Sequence, residues 1–567
     1  MSDSAVSRPG ARRPLENDGV GHGASDGYSD SGVIGQALVG AACLYPVPRV
    51  VVAALLVAGV VLGGVGDALL RAPGPVGLNL SLWVAFVAVA ALALQRRAAL
   101  APDRSRVGWL AIGVAFAAGL AWRDAPPLKL LALGCAILTF ALAAHRLPAP
   151  GVRRAGVLRY AGALALGALH AWTAAALALV DATRFAPRAD AGRAGGWRST
   201  AAVARGLAVA APLVAVFGAL LMSADAVFAE LVADVFRFDF ERIASHVLLF
   251  SILAWLATGY LRGFLTGTEL PPLRSLWWDG ALPGVTPRRP TLAITDVATA
   301  LAALDLLFLI FVIVQFRYLF GGDALVQVTP DLTYAEYARR GFFELVFVAF
   351  LVVPVLLAAD WLLERRSRRD DFVFRSLAGV QIGLVLMIAA SAFQRLRLYH
   401  ASYGLTESRF YALALLVWIG AMLIWLAATV LRGRRGPFAF GALVAGFAAV
   451  ALLFVVDPDA IVARTNVARM SSGDVSVRFD VAYATSLSAD AVPVLIDGLS
   501  ALPRDVQCPL ARHMLRRWPP DRDRSIRSWN WSAARASDAV REHEARLRSM
   551  VGPDQECAAP AASPAAQ

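Results

Sequence analysis

From about Val50 to Val456 the chain repeats apolar blocks of membrane-spanning length, separated by short arginine-bearing loops; beyond Val456 it changes to a polar tail. A helix needs about 20 apolar residues to cross a ~30 Å hydrocarbon core. Blocks that meet or approach that length run approximately 50–70, 77–94, 106–122, 128–145, 157–181, 202–222, 244–262, 293–316, 342–363, 373–393, 410–431 and 437–456. They predict an all-α fold, a polytopic transmembrane helix bundle of about 12 spans with a small helical C-terminal soluble domain. Gly and Ala recur inside the blocks, as helices that pack closely in lipid require. A single soluble core does not grow large enough to hide so many blocks.

The pattern divides the chain into five stretches. Residues 1–33 are polar, without apolar periodicity, and read as a disordered arm rather than a cleavable signal. Residues 34–262 form an N-terminal transmembrane bundle, 263–292 a cytoplasmic loop, 293–456 a second transmembrane core, and 457–567 the tail.

Loop arginines set orientation, because basic loops stay in the cytoplasm. Arg365, Arg366, Arg368 and Arg369 mark one cytoplasmic loop; Arg432, Arg434 and Arg435, two spans later, mark another. Counting back, the loop with Arg274, Arg288 and Arg289 is also inside, and so is the one with Arg184, Arg188, Arg193 and Arg198. The acidic stretch from Asp225 to Glu241 falls outside and resembles an amphipathic surface helix. Counting forward, the tail is extracytoplasmic.

The N-terminal half breaks the count. Arg96, Arg97, Arg104 and Arg106 ask for an inside loop, and so do Arg153 and Arg154, yet simple alternation puts both outside. The conflict localises to about 157–201, where one apolar segment separates two basic loops. Either that segment does not cross once or the rule fails there.

Composition adds two points. The formal net charge is +12, and Lys129 is the single lysine, so the excess is arginine. In a chain of mean hydropathy +0.59 these cations sit beside apolar spans, where topology and anionic lipid explain them better than nucleic acid does. No CxxC or Cys/His metal spacing occurs among the four cysteines. Cys43 and Cys135 lie in or near apolar segments, whereas Cys508 and Cys557 share the tail and would be able to pair if it is extracytoplasmic.

In the tail, Ser488 reads as the N-cap of a helix through "ADAVPVLIDGLSAL", with Pro493 tolerated because it sits early. Further helices are expected at about 505–517 and 532–550, the last with Glu542–Arg546 and Glu544–Arg548 at i,i+4 spacing.

Chemistry-bearing residues concentrate between 293 and 410. No Walker A, strand-to-helix GxGxxG, HExxH or GxSxG pattern is present, and no cofactor or metal is expected. Asp305 and Gln315 lie in one span that ends at Arg317; Glu344 opens the next; Gln381 is mid-span; Arg395 closes the following one. Ionisable groups in hydrocarbon are costly unless paired or wetted. Two readings stand side by side: a polar substrate or proton path lined by Asp305, Gln315, Glu344 and Gln381, or helix–helix glue with an outer ion-pair network of Arg317, Glu344 and Arg395. In the second reading Tyr318, Tyr334, Tyr337, Tyr399 and Tyr403 form an interfacial aromatic belt.

The runs "QFRYLFGG" (315–322), "TYAEYARRGFFEL" (333–345) and "QRLRLYHASYGLTESRFYAL" (394–413) resemble an uncharacterised bacterial multi-pass membrane family, domain of unknown function 4173, and its relative 4153. "DPDAIVARTNVAR" (457–469), "LSADAVP" (487–493) and "RSWNWSAARA" (527–536) resemble the C-terminal extension of the same family. The resemblance covers about 290–540 and implies a membrane location, most simply the cytoplasmic membrane, without supplying a reaction, substrate or cofactor. Its recurrent polar residues map to Gln315, Arg317, Tyr334, Tyr337, Arg339, Arg340, Glu344, Arg395, Tyr399, Tyr403, Glu407 and Arg409, which are the candidate site together with Asp305 and Gln381.

Three function classes follow. A non-catalytic scaffold or sensor would use the tail to bind an extracytoplasmic protein partner. A transporter would use the intramembrane polar cluster. A membrane enzyme acting on lipid-linked substrates would place Glu344, Arg395 and Glu407 in an outer pocket. The order of preference is scaffold or sensor, transporter, enzyme.

Overall fold

A computed structural model of the chain describes residues 49–71, 74, 76–101, 103–144, 157–185, 210, 214, 217–218, 221–225, 240–267, 291–320, 342–434, 436–471, 479–519, 526–551 and 557. The expected arm, the acidic surface helix except for Asp225, Phe240 and Glu241, and the Arg274–Arg289 loop lie outside those residues. Among the described residues every regular element is helical, apart from one isolated bridge between Leu292 and Leu363.

Eleven of the twelve apolar blocks become helices α1 (Arg49–Leu70), α2 (Leu78–Arg97), α3 (Arg104–Trp122), α4 (Pro126–Ala144), α5 (Val157–Phe185), α6 (Phe240–Thr266), α7 (Ile294–Phe320), α8 (Phe342–Leu362), α9 (Arg368–Tyr403), α10 (Glu407–Thr429) and α11 (Gly436–Val456), while most of the 202–222 block lies outside the described residues. Ten of them are each long and apolar enough to cross a membrane, and α5 meets that test only when its two bent arms are counted together. This is a multi-pass membrane protein with an all-α polytopic bundle. Side chains with strong local preferences mark the ends. Asp103 caps α3 by accepting from the Ser105 N–H at 2.9 Å, and Ser367 with Asp370 forms a capping box at the start of α9. Gly404, at φ +81°, closes α9 in a conformation that disfavours a side chain.

Small residues set the closest approaches. Gly63 of α1 faces the Phe250 carbonyl of α6, where a Cβ would come within 2.9 Å of backbone. The two largest apolar cores of the bundle follow from this packing. One joins α1–α4 and α6 around Leu55, Leu110, Leu261 and Phe264. The other joins α7–α11 around Leu301, Phe374, Ile388 and Leu423.

Helix α5 answers the conflict in the charge count. It bends by 41° between Tyr160–Leu169 and Ala171–Leu179. Its first turn packs on Leu142, near the end of α4, and Ala439, near the start of α11. Asp181, near its far end, pairs at 3.0 Å with Arg262, near the end of α6. The ends of α4 and α6 lie together, since buried Arg106 of α3 reaches both the Ala143 and the Phe264 carbonyls. Both ends of α5 therefore sit at one end of the bundle. Its contacts thus do not carry α5 from one end of the bundle to the other, and Arg96, Arg97, Arg104 and Arg106 lie at the same end as Arg365 and Arg432.

The tail forms α12 (Pro458–Ser471), α13 (Val481–Ser486), α14 (Val492–Gly498), α15 (Arg504–Arg517), α16 (Trp531–Glu542) and α17 (Glu544–Val551). The helix expected from Ser488 is instead a 3-10 turn, Ala489–Ala491, that Ser488 caps, followed by α14 with Pro493 in its first turn. The expected 532–550 helix breaks at His543, so Glu544 pairs with Arg548 within α17 while Glu542 and Arg546 fall on different helices. The tail core, around Val462, Leu495, Leu499, Leu510 and Leu547, is continuous with Leu405 at the loop before α10. A disulfide joins Cys508 to Cys557, with Cα atoms 5.7 Å apart.

Candidate functional site

The most elaborate polar construction lies where the tail meets the bundle. After α11 the chain turns at Asp457, which adopts φ +60°, and Pro458 starts α12 in the first helical position, where its missing N–H costs nothing. Asp457 Oδ1 accepts from the Ala460 N–H at 3.3 Å. This turn delivers Asp457 to the loop between α3 and α4, and places Asp459 against Ser488 and Glu407.

Arg123 in that loop is 7% exposed. Its Nε donates to the Phe454 carbonyl at 2.8 Å, and Nη1 donates to Asp457 and to Asp490 Oδ1, the latter at 3.2 Å. Asp490, from the 3-10 turn, also accepts from the backbone N–H groups of Asp124 at 2.8 Å and Ala125 at 3.2 Å, and lies in hydrogen-bond reach of Ser488 and Ser532. Asn530, just ahead of α16, donates to the carbonyls of Leu120 and Arg123 at 3.0 and 2.9 Å. Burying a carboxylate is unfavourable unless it is paired and fully hydrogen-bonded, and Asp490 meets that condition only when bundle and tail are together.

The loop between α9 and α10 is fastened separately. Asn466 accepts from the Leu405 N–H at 2.9 Å and donates to the Leu405 carbonyl at 2.8 Å, and Arg409 donates to the Gly404 carbonyl at 2.6 Å. The Glu407 N–H donates to the Tyr483 hydroxyl at 2.6 Å. Behind this contact, Asp459 is wholly buried, and Oδ2 accepts from the Ser488 N–H at 3.1 Å. Its hydrogen-bonding neighbour is the Glu407 carboxyl, so burial and that second acid hold Asp459 well above the ordinary carboxylate range. Burial and the Asp490 charge raise Asp457 to about 6 against the opposing pull of Arg123.

The sign of the resulting pH dependence is definite. A carboxyl whose pKa rises on folding binds its proton more tightly when folded, so its contribution is full below the unfolded value and is lost as pH rises through the folded one. For Asp457 that window runs from 3.8 to about 6. Resistance of the tail to limited proteolysis is expected to increase as pH falls from 7 to 5; steady loosening over that interval would refute the assignment.

The residues singled out in the sequence divide among several places. Gln315 of α7 accepts from Ser391 at 3.3 Å and from Arg395, both on α9. Asp305 and Gln381 are 7% and 0% exposed, and their side-chain polar atoms have no hydrogen-bond partner among the described residues. α7 and α9 run side by side in the same direction, and Asp305 precedes Gln315 by as many residues as Gln381 precedes Ser391, so the two lie at one depth. Glu344 is exposed at the start of α8, and no ion pair joins it to Arg395 among the described residues. Glu407 and Arg409 belong to the tail junction rather than to that group. Tyr334, Tyr337, Arg339 and Arg340, and the side chains of Arg317, Tyr318, Tyr399 and Tyr403, lie outside the described residues.

Arg123, Asp457, Asp459, Asp490, Asn530 and Ser532 had no place in the sequence-derived site. A signal for five of them was present, since Asp457 and Asp459 stand in "DPDAIVARTNVAR", Asp490 in "LSADAVP", and Asn530 and Ser532 in "RSWNWSAARA". Arg123 carried no signal, being one loop arginine among many.

No curated protein and no solved structure matches the chain. The family model for the domain of unknown function DUF4153 matches residues 110–498, from the third helix through the tail turn that carries Asp490. With most of the chain covered, including the elements that build this junction up to α14, the protein belongs to the DUF4153 family of uncharacterised domains.

Proposed function

We propose that the protein is a non-catalytic membrane scaffold or sensor whose tail, on the extracytoplasmic side of the cytoplasmic membrane, acts with the bundle as one partner-binding unit. The observation that carries this reading is the Asp490 junction, which ties the tail to the α3–α4 loop through buried, charge-assisted hydrogen bonds. A tail held this way can pass a change at its surface into the helices. Three features support the orientation. Loop arginines from Arg96 to Arg106 and from Arg365 to Arg434 lie at the end opposite the tail, with Arg71 and Arg123 at the tail end. An α5 that does not cross would lift the parity conflict, and the Cys508–Cys557 bridge suits an oxidising compartment. Protein extracted from cells into denaturant with a thiol-blocking maleimide is expected to leave Cys508 and Cys557 unmodified. Modification of both would place the tail in the reducing cytoplasm and reverse the topology.

A transporter is the second reading, favoured by Asp305 and Gln381, which share a depth in the bundle and whose side chains have no hydrogen-bond partner among the described residues. The two readings diverge for Asp305→Leu. Removing an unpartnered buried carboxyl is expected to stabilise the bundle by about 1–3 kcal/mol in thermal or denaturant unfolding. As a scaffold the variant keeps full ability to complement a deletion strain; as a transporter it is more stable and inactive.

A further inference from the structure

A half-open pocket of about 280 Å³ lies at the junction, between the end of α11, α12, the Asp490 turn and α16. Three arginines line it: Arg123 from the bundle, Arg464 from α12 and Arg535 from α16. Arg123 is held through Nε and Nη1 by Phe454, Asp457 and Asp490. Arg464 and Arg535 are exposed, and among the described residues neither guanidinium has a hydrogen bond or ion pair. Against Asp457 and Asp490 the lining therefore carries one excess positive charge, placed on the two cations with free donors.

The remaining wall identifies the direction of approach. Val455, 66% exposed on the last turn of membrane-spanning α11, lines the cavity. The hollow is thus continuous with a lipid-facing helix flank at the level where a span leaves the hydrocarbon. Phosphodiesters of membrane lipids lie at that level, and planar guanidinium forks match phosphate oxygens in pairs.

We infer that this cavity binds a phosphate group, carried by an anionic membrane lipid, through Arg464 and Arg535, with its acyl chains running down past Val455. Arg123 and its two aspartates form the rigid back wall. The inference rests on tail and bundle being one unit, because the lining comes from both.

Full-length protein in nanodiscs of phosphatidylcholine, with and without phosphatidylglycerol, tests it, with thermal unfolding and lipid retention in native mass spectrometry as readouts. Phosphatidylglycerol is expected to raise the unfolding midpoint and to remain bound. Arg464→Gln and Arg535→Gln should each weaken retention on the order of tenfold, about the worth of one charged hydrogen bond, and together abolish it. Arg516→Gln, the same charge change on an exposed residue of α15, should leave retention intact. Equal loss in Arg516→Gln, or full retention in the double variant, overturns the site. Equal stabilisation by inorganic phosphate in phosphatidylcholine discs overturns the lipid as the source. Limited proteolysis separates the two levels: a tail freely cleaved in wild type refutes the one-unit reading, whereas a protected tail without lipid response refutes only the ligand.

Discussion

Asp490→Ala is expected to detach the tail from the bundle, at a cost of about 3–5 kcal/mol, the range for removing one partner of a buried, hydrogen-bonded charge pair. The magnitude comes mainly from the buried groups that the substitution leaves without an acceptor. Arg123, 9% exposed at its side chain, keeps Asp457 but is deprived of Asp490 Oδ1, and the N–H groups of Asp124 and Ala125 are deprived of their shared acceptor. Ser532 retains only the Trp122 carbonyl. Limited proteolysis should cut the tail rapidly while the transmembrane fragment stays intact, and the tail should unfold at lower temperature than the bundle. Asp497→Asn, on an exposed position of the same α14 segment, is the control that should change neither. A protease pattern and melting profile unchanged in Asp490→Ala would mean that apolar packing alone holds the tail.

Removing the Cys508–Cys557 bridge is expected to have an effect of similar size. The bond closes a loop of sequence separation 49, for which the chain-entropy relation gives about 4 kcal/mol of tail stability. The native packing around it, Leu510 and Met514 of α15 against Leu547 and Val551 of α17, stays available, so the substitution acts mainly through a less restricted unfolded chain. The double variant Cys508→Ser, Cys557→Ser should lower the thermal midpoint of the tail, and reductant should do the same to wild type but nothing further to the variant. Equal midpoints for oxidised and reduced wild type would assign tail stability to packing alone.

The two variants also separate the levels of organisation. Asp490→Ala weakens docking of a folded tail, whereas loss of the bridge weakens the tail itself.

Much of this architecture is legible in the order of residues. Twenty apolar positions in a row leave the backbone no partner but its own helix, so the spans from Val51–Leu70 to Pro437–Val456 follow from local composition. The capping residues Asp103 and Ser367 act within three positions and are equally local. The tail's helical character follows from periodicity, but its break at His543 does not, because the tail core decides how far a helix continues.

Long-range pairing is different. Arg123 and Asp490 are 367 positions apart, and neither has a neighbour in sequence that announces the other. Asp305 and Gln381 could be read as polar residues in lipid-spanning segments; their common depth required knowing that α7 and α9 run parallel. The bent α5 shows the same limit from the other side. Its composition passes as a span only when its two bent arms are taken together, and its packing on Leu142 at one end and its pairing with Arg262 at the other place both ends at one level. Sequence by itself determined that this chain lives in a membrane as a helix bundle with a polar helical tail, because burial of backbone in lipid is a local demand. Tertiary structure alone decided which charges meet and where the ends of α5 lie. The energy of a buried ion depends on partners brought from distant segments, and no local pattern encodes them.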